Sequence, residues 1–300
     1  MKYAMLFGAQ LAIGAAAIFA RYALHGTGAI EASALRLTIA GVPMFLAGIY
    51  IYRQIPVARA DEVRFVAAGL FLAIHFATWI ASLQFTSVAV STLLVSTAPV
   101  WCSLYDVFVL RKKLSGRFWC ALLAGAVGTF IIVGSGLISD GSVSPTHSQT
   151  SNFGAALALV GGLAFAAYLL LMRSVVHSYP TLLIVGRTYL WSAVLLLLGA
   201  FLDHEYPPGA DWVSWGGILG MALFSQMLGH TGINASLRFF STRAVAFSTL
   251  LEPIFAAALA AIILSEKLEA KTIVGSLIVL IALGAVLREQ VNEDVTTESI

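Results

Sequence analysis

The chain has 300 residues, of which 59% are hydrophobic and 11% are charged. Because about a quarter of the residues in soluble globular domains are charged, this composition excludes a soluble protein and predicts an integral membrane protein. The formal net charge of +2 is too small to indicate nucleic-acid binding, and the basic residues are distributed over short loops. The two cysteines, Cys102 and Cys120, fall within apolar stretches, so we expect packing residues without a disulfide.

Ten apolar segments follow one another along the chain, and each is near the roughly 20 residues that cross a bilayer as a helix. They cover residues 3–24, 30–52, 63–84, 88–110, 118–138, 153–173, 180–202, 212–235, 243–264 and 271–288. We therefore predict ten transmembrane helices, numbered here as spans 1 to 10. The first segment also has the character of a signal peptide, but a matching internal segment at Gly154 indicates a retained first span.

The two halves of the chain resemble each other. Pro99 and Pro253 occupy matching positions, because a Lys-Leu pair follows each of them after the same interval. We predict two homologous repeats over 1–140 and 152–290, an external linker over 141–151 and a polar cytoplasmic tail over 291–300. Since each repeat has five spans, the second repeat must cross the membrane in the opposite sense to the first.

The positive charges predict which way the repeats are oriented, because Lys and Arg accumulate in cytoplasmic loops. With both termini in the cytoplasm, the outer loops hold only Lys267 and Lys271. The inner side then collects Lys2, Arg53, Arg59, Arg64, Arg111, Lys112, Lys113, Arg117, Arg173, Arg238, Arg243 and Arg288. An inverted repeat is typical of secondary transporters, in which two like halves open one central site alternately to either side.

Several short motifs recur in both halves. They are Ser82 to Ser87 (SLQFTS), Pro99-Val100, Lys113-Leu114, Leu251-Glu252-Pro253, Ser265 to Leu268 (SEKL) and Gly154 to Arg173 (GAALALVGGLAFAAYLLLMR). With them the chain resembles the EamA-type members of the drug/metabolite transporter superfamily over nearly its whole length, and most closely the bacterial aromatic amino acid exporters. The chain departs from the family at Arg111-Lys112, where Gly-Glu is common, but that loop is predicted to be cytoplasmic and remote from the site.

The resemblance implies an all-α protein of the bacterial inner membrane with ten helices and both termini inside. It also implies export of small organic solutes, with amino acids such as phenylalanine, tryptophan and tyrosine as the first candidates. The oligomeric state is left open, and the other partner implied is the lipid bilayer.

The polar face of span 3 is the main candidate for a substrate site. His75, Thr78, Trp79 and Ser82 follow at the spacing of one helical face. A polar face at membrane depth is expected to point toward protein or water. The same face is also compatible with ordinary interhelical packing, so lining a cavity and packing remain alternatives for each residue.

Other spans add further candidates. Residues expected near the same site are Phe19, Thr97, Trp101, Tyr105, Phe165, Tyr168 and Asn234. Tryptophans at span ends, such as Trp212, are expected to be interface anchors instead. Arg36 and Arg187 lie near span ends, where long side chains extend to the membrane surface, so we do not expect either to bind an anion.

Glu252 lies at mid-span, where a carboxylate is costly. It could couple transport to protons, pair with a substrate ammonium group or form a structural hydrogen bond, and the structural role is favoured because the Leu-Glu-Pro motif is shared across the superfamily. Pro99 and Pro253 are predicted to kink their helices and to free the carbonyls of Val95 and Thr249.

The sequence contains no pattern that indicates an enzyme, such as a phosphate-binding glycine loop, a cluster of metal ligands or a catalytic triad. We therefore expect no catalytic activity, no metal and no cofactor. The predicted function is a secondary transporter of aromatic amino acids. The alternatives are an exporter of hydrophobic cations and, from another class, a membrane receptor or scaffold.

Overall fold

The computed structural model describes residues 1–133, 145–203, 209–263 and 270–298. The described residues are helical and contain no strand. In the first half, the helices are Lys2–Gly14 and Ala16–Ala23 (span 1), Ala29–Ile51 (span 2), Arg59–Phe85 (span 3), Val88–Val95 and Ala98–Phe108 (span 4) and Gly116–Val133 (span 5).

The second half has the same number of spans. They are Pro145–Val175 (span 6), Thr181–Leu202 (span 7), Trp212–Gly220 with a π-helix Met221–His230 and Thr231–Ser236 (span 8), Thr242–Ser248 with a 3-10 turn Thr249–Leu251 and Glu252–Ile263 (span 9), and Ala270–Glu298 (span 10). Eight of these spans are long and apolar enough to cross a membrane by length and composition. The other two, spans 4 and 8, both contain an interruption. The chain is thus an all-α membrane protein with ten helical spans.

Two boundaries differ from the sequence prediction. The helix of span 6 begins at Pro145, inside the predicted linker, and the helix of span 10 continues through the predicted tail to Glu298. The predicted end of span 5 at 134–138, the first part of the linker and the Ser265 to Leu268 motif lie outside the described residues.

Both ends of the chain lie at the same side of the bundle. The ring of Tyr3 in span 1 lies 5.3 Å from that of Phe240, which connects spans 8 and 9. The neighbouring Ser241 N–H donates to Oε1 of Gln290 at the end of span 10, over 3.0 Å. We call this side, where Tyr3, Ser241 and Gln290 meet, the terminal face.

The packing of the spans is symmetric. Span 2 packs on span 7, span 3 on span 6, span 5 on span 10, span 1 on span 8 and span 4 on span 9. If spans 1–5 are exchanged with spans 6–10, each pairing maps onto itself or onto another member of this set. The pairing therefore supports the prediction of two like halves.

Spans 4 and 9 are interrupted just before their prolines. The first helix of span 4 ends at Val95 and the next begins at Ala98, while in span 9 a 3-10 turn precedes Glu252. Each proline thus lies in the first turn of a new helix, where its missing N–H costs nothing. The Thr249 carbonyl accepts the backbone N–H of Glu252, so it is not left free as the sequence had indicated.

A glycine of a neighbouring span makes room for each interruption. A Cβ at Gly162 of span 6 would lie 2.8 Å from the Val95 carbonyl oxygen of span 4. A Cβ at Gly14 of span 1 would lie 2.6 Å from Cβ of Phe255 in span 9. Both distances are too short for any side chain, so the close approach of these helices depends on the glycines.

Candidate functional site

A cavity lies at the centre of the bundle, next to the interruptions of spans 1, 4 and 9. Its inner part is lined by Ile13, Ala16, His75, Trp79, Val95, Ser96, Phe165, His230, Thr249 and Glu252. A wider part of about 280 Å³ is lined by some of the same residues together with Val88, Thr92, Ile132, Val133, Ala256 and Ala257. Because Trp79, Val95 and Glu252 border both parts, the inner part, of about 20 Å³, adjoins the wider part.

The cavity extends away from the terminal face. Val88 is the first helical residue of span 4 and Val133 is the last of span 5, and both lie at the ends opposite the terminal face. At the terminal face itself, spans 4 and 9 are joined by a buried ion pair between Asp106 and Arg243, with an N–O distance of 2.9 Å. The two spans are thus joined at the terminal face, and the wider part of the cavity extends toward the opposite face.

One wall of the inner cavity is aromatic. His75 and Trp79 of span 3 are stacked with ring centroids 6.2 Å apart and planes 5° from parallel. Phe165 of span 6 lies 4.8 Å from the His75 ring. Nδ1 of His75 is 2.9 Å from the carbonyl oxygen of Gly161 and must carry a hydrogen that it donates, because a carbonyl oxygen can only accept.

Glu252 supplies the carboxylate of the cavity. It is the first residue of the second helix of span 9. It borders both parts of the cavity and is only partly buried. A single carboxylate and an aromatic wall in one space can bind a ligand that combines a cationic group with an apolar ring.

Two residues of the predicted face on span 3 have hydroxyls whose hydrogen bonds are made away from the cavity. The Thr78 hydroxyl donates to the Ile74 carbonyl of its own helix over 2.7 Å. Ser82 is fully buried and its hydroxyl lies 2.6 Å from that of Ser91, which joins span 3 to span 4. Of the four residues predicted on this face, His75 and Trp79 are the cavity-lining ones.

The remaining predicted residues surround the cavity at a greater distance. Thr97 borders a separate apolar space between spans 4 and 5 and accepts the indole N–H of Trp101 over 3.1 Å. Tyr105 lies one helical turn beyond Trp101, nearer the terminal face, and is partly buried. Phe19 stacks on Phe224 of span 8 with ring centroids 6.1 Å apart.

Tyr168 and Asn234 tie span 6 to span 8. Asn234 Nδ2 donates to the Tyr168 hydroxyl over 2.5 Å and to the His230 carbonyl over 2.7 Å. Tyr168 is fully buried and stacks on Phe165, with ring centroids 5.9 Å apart. The pair therefore supports the wall of the cavity from behind Phe165.

Sequence reasoning missed several residues around the cavity. His230 lines it, and its ring lies 6.2 Å from that of His75. Arg36, expected to extend to the membrane surface, is instead fully buried and bonded to Gln226 of span 8. The sequence signals that could have indicated this contact are Arg36 and Gln226 themselves, a basic residue and an amide within otherwise apolar spans. Among the described residues no group of three potential ligands could hold a metal ion.

Comparisons with known proteins agree with this architecture. The uncharacterized transporter YwfM of Bacillus subtilis is 25% identical over 83% of this chain and 81% of its own length. An uncharacterized transporter of Archaeoglobus fulgidus is 22% identical over 90% of this chain and 92% of its own. One solved crystal structure superimposes with a TM-score of 0.76 over 96% of both chains at 16% identity, which shows a shared fold.

The family profile of the EamA-like transporters matches residues 1–134 and 152–288. These two stretches include all or most of every span and the whole lining of the cavity. The chain therefore belongs to the EamA-like transporter family.

Proposed function

We propose that the protein is a secondary transporter that exports aromatic amino acids across the bacterial inner membrane by alternating access. In this proposal both termini are cytoplasmic, so the terminal face is the inner side of the membrane. The repeats 1–140 and 152–290 exchange conformations, and the cavity is the binding site in its outward-facing state.

The observation that carries this proposal is the combination of an aromatic wall and one carboxylate in a single cavity. The rings of His75, Trp79 and Phe165 offer stacking surfaces for an aromatic side chain. Glu252 faces the same space and matches an ammonium group. The cavity therefore suits a small molecule with a ring and a positive charge, such as phenylalanine or tryptophan.

The unequal ends of the bundle support the transport mechanism. A buried ion pair joins spans 4 and 9 at the terminal face, while the wider part of the cavity extends toward the opposite face. A receptor or scaffold gives no reason for interrupted helices next to the cavity.

A transporter of hydrophobic cations is the second candidate. Trp79 and Glu252 by themselves would suit a cation without a carboxylate. The two candidates differ in whether the ligand must carry a carboxylate group.

Uptake of labelled phenylalanine by proteoliposomes that contain the purified protein tests the proposal. We expect saturable uptake that excess tryptophan blocks and that protein-free liposomes lack. Absence of uptake by folded protein would contradict the amino acid assignment. Inhibition of uptake by tetraphenylphosphonium but not by tryptophan would favour the cation transporter. An imposed pH gradient that drives accumulation would assign a proton-coupling role to Glu252.

A further inference from the structure

Arg36 is a cation buried in the middle of the protein. The side chain belongs to span 2 and has no solvent exposure. The guanidinium carbon lies 3.9 Å from the centre of the Phe76 ring, and Nε donates to Gln226 Oε1 over 3.0 Å. The guanidinium is therefore held in one orientation by a ring of span 3 and an amide of span 8.

Most of the hydrogen-bonding capacity of Arg36 is unused. Nη1 and Nη2 are both buried and have no hydrogen-bond partner. Within the part of the chain that the structure describes, no carboxylate lies within ion-pair distance of the guanidinium. A buried charge without such a partner is costly, so its retention calls for a compensating role.

Further buried nitrogens belong to span 8. Nε2 of Gln226, whose oxygen binds Arg36, makes no well-formed hydrogen bond, and its nearest polar neighbour is the Tyr189 hydroxyl. Nδ1 of His230 is also buried without a hydrogen-bond partner. The His230 ring lies 5.1 Å from the Phe76 ring, on which the Arg36 guanidinium stacks. Gln226 and His230 both belong to the π-helix of span 8, a rare conformation that is frequently found at functional sites.

These residues adjoin the cavity. His230 and His75 both line its inner part, and the rings of both lie close to the Phe76 ring on which the guanidinium stacks. The Phe76 ring contacts Arg36 on one side of this group and lies 4.7 Å from His75 and 5.1 Å from His230. The guanidinium is therefore linked to two residues of the cavity lining through one shared ring.

We propose that Arg36, oriented by Gln226, binds the carboxylate of the transported amino acid after Phe76 turns aside. This inference rests on the proposed function and narrows it to substrates that carry both charges. The two Nη atoms form a planar fork that fits the two oxygens of a carboxylate. The ammonium group then lies toward Glu252 and the aromatic side chain toward Trp79.

The test compares two ligands that differ only in the carboxylate, phenylalanine and phenethylamine. Binding of both labelled compounds to the full-length protein is measured by scintillation proximity for the wild type and for Arg36→Gln. We expect the wild type to bind phenylalanine at least about tenfold more tightly, since hydrogen bonds to a charged group are worth that much. Arg36→Gln is expected to remove this preference by weakening phenylalanine binding alone.

Three further variants complete the design. Arg36→Lys keeps the charge but not the fork, so we expect an intermediate preference. Gln226→Leu leaves Arg36 in place without its orienting acceptor and is expected to weaken phenylalanine more than phenethylamine, which tests the inference even if Arg36→Gln does not fold. Arg187→Gln is the matched control, because Arg187 pairs with Glu62 on spans 7 and 3 over 2.6 Å, and it should retain the wild-type preference.

The outcomes separate this inference from the proposed function. If the wild type prefers phenylalanine and the Arg36 and Gln226 variants keep that preference, the carboxylate site is wrong while the transported class stands. If these variants lose both ligands to the same degree, Arg36 is structural and the inference is again wrong. If the folded wild type does not bind phenylalanine, the proposed function and the inference both fail.

Discussion

Asp106 of span 4 and Arg243 of span 9 form a buried ion pair at the terminal face, with Oδ2 and Nη1 2.9 Å apart. Lys112 approaches the other carboxylate oxygen at 3.6 Å, and the Arg243 guanidinium lies 5.5 Å from the centre of the Phe118 ring. The aligned positions of the two repeats, Ala260 and Ala89, are alanines and carry no charge. The ion pair therefore has no counterpart at the aligned positions, and it joins spans 4 and 9 at the terminal face.

Replacing Asp106 tests how much this ion pair stabilises the folded protein. Asp106→Asn removes the negative charge that faces the buried guanidinium, which is expected to cost about 3 kcal/mol. Glu62→Gln disturbs the partly exposed pair with Arg187 and is expected to cost less than about 1 kcal/mol. Thermal unfolding in detergent measures both variants, and an equal loss would contradict a special role for the Asp106–Arg243 pair.

The aromatic wall predicts which tryptophan matters for transport. Trp79 is 7% exposed and lines the cavity, whereas Trp212 is 92% exposed at the start of span 8. Trp79→Ala is expected to reduce phenylalanine uptake roughly tenfold or more, since losing a large aromatic contact costs about 1.4 kcal/mol. His75→Ala should also reduce uptake.

Trp212→Ala provides the control for both cavity variants at matched expression. We expect it to keep near wild-type uptake, because its ring contributes to the surface of the protein. Similar losses in all three variants would indicate that the face of span 3 serves packing alone.

The sequence predicted the apolar spans and an irregularity of the helix at each proline, and it named Glu252 and Trp79 as candidates for the site, because these follow from local composition and spacing. The identity of the buried polar partners did not follow. Arg36 meets Gln226 across 190 positions, and Asp106 meets Arg243 across 137. Such contacts depend on how distant spans pack, and no pattern within one span encodes them.

The polar face of span 3 illustrates the same limit within a single helix. Thr78 and Ser82 have the correct spacing to accompany His75 and Trp79, but their hydroxyls bond to carbonyls of their own helix. A small hydroxyl at membrane depth can bond to a backbone carbonyl of its own helix and then presents little polar surface. Spacing therefore overestimated the polar surface that reaches the cavity.

Gly14 and Gly8 offer a matched pair of substitutions in one helix. A Cβ at Gly14 would lie 2.6 Å from Cβ of Phe255, while a Cβ at Gly8 meets nothing within 4 Å. Gly14→Ala is expected to separate span 1 from span 9 beside Glu252 and to lower both the melting temperature and uptake. Gly8→Ala should be neutral or stabilising by up to about 1 kcal/mol, since alanine favours a helix. Equal behaviour of the two variants would contradict the close approach of these spans.

Asp211 predicts a pH dependence outside the membrane. Its Oδ1 accepts the backbone N–H of Ser214 over 2.8 Å at the start of span 8 and also the Ser214 hydroxyl, and these bonds lower the pKa of Asp211 below its ordinary value of 3.8. A lowered pKa in the folded state means that the carboxylate contributes stability above the ordinary value. That contribution is lost as the pH falls through the folded value.

The Asp211 contribution can be isolated by comparing variants across pH. We expect Asp211→Ala to be less stable than the wild type at pH near 7, and the difference to shrink as the pH is lowered below the ordinary value of 3.8. Thermal unfolding at a series of pH values measures the difference. A gap that stays constant or widens toward acid would contradict this role of the carboxylate.

Counterflow tests the alternating use of one cavity most directly. Proteoliposomes are loaded with unlabelled phenylalanine and diluted into a trace of labelled phenylalanine. A carrier exchanges one molecule for another, so we predict a transient accumulation of label above its equilibrium level, abolished by excess external tryptophan. A simple approach to equilibrium without overshoot, or binding without any uptake, would contradict the account.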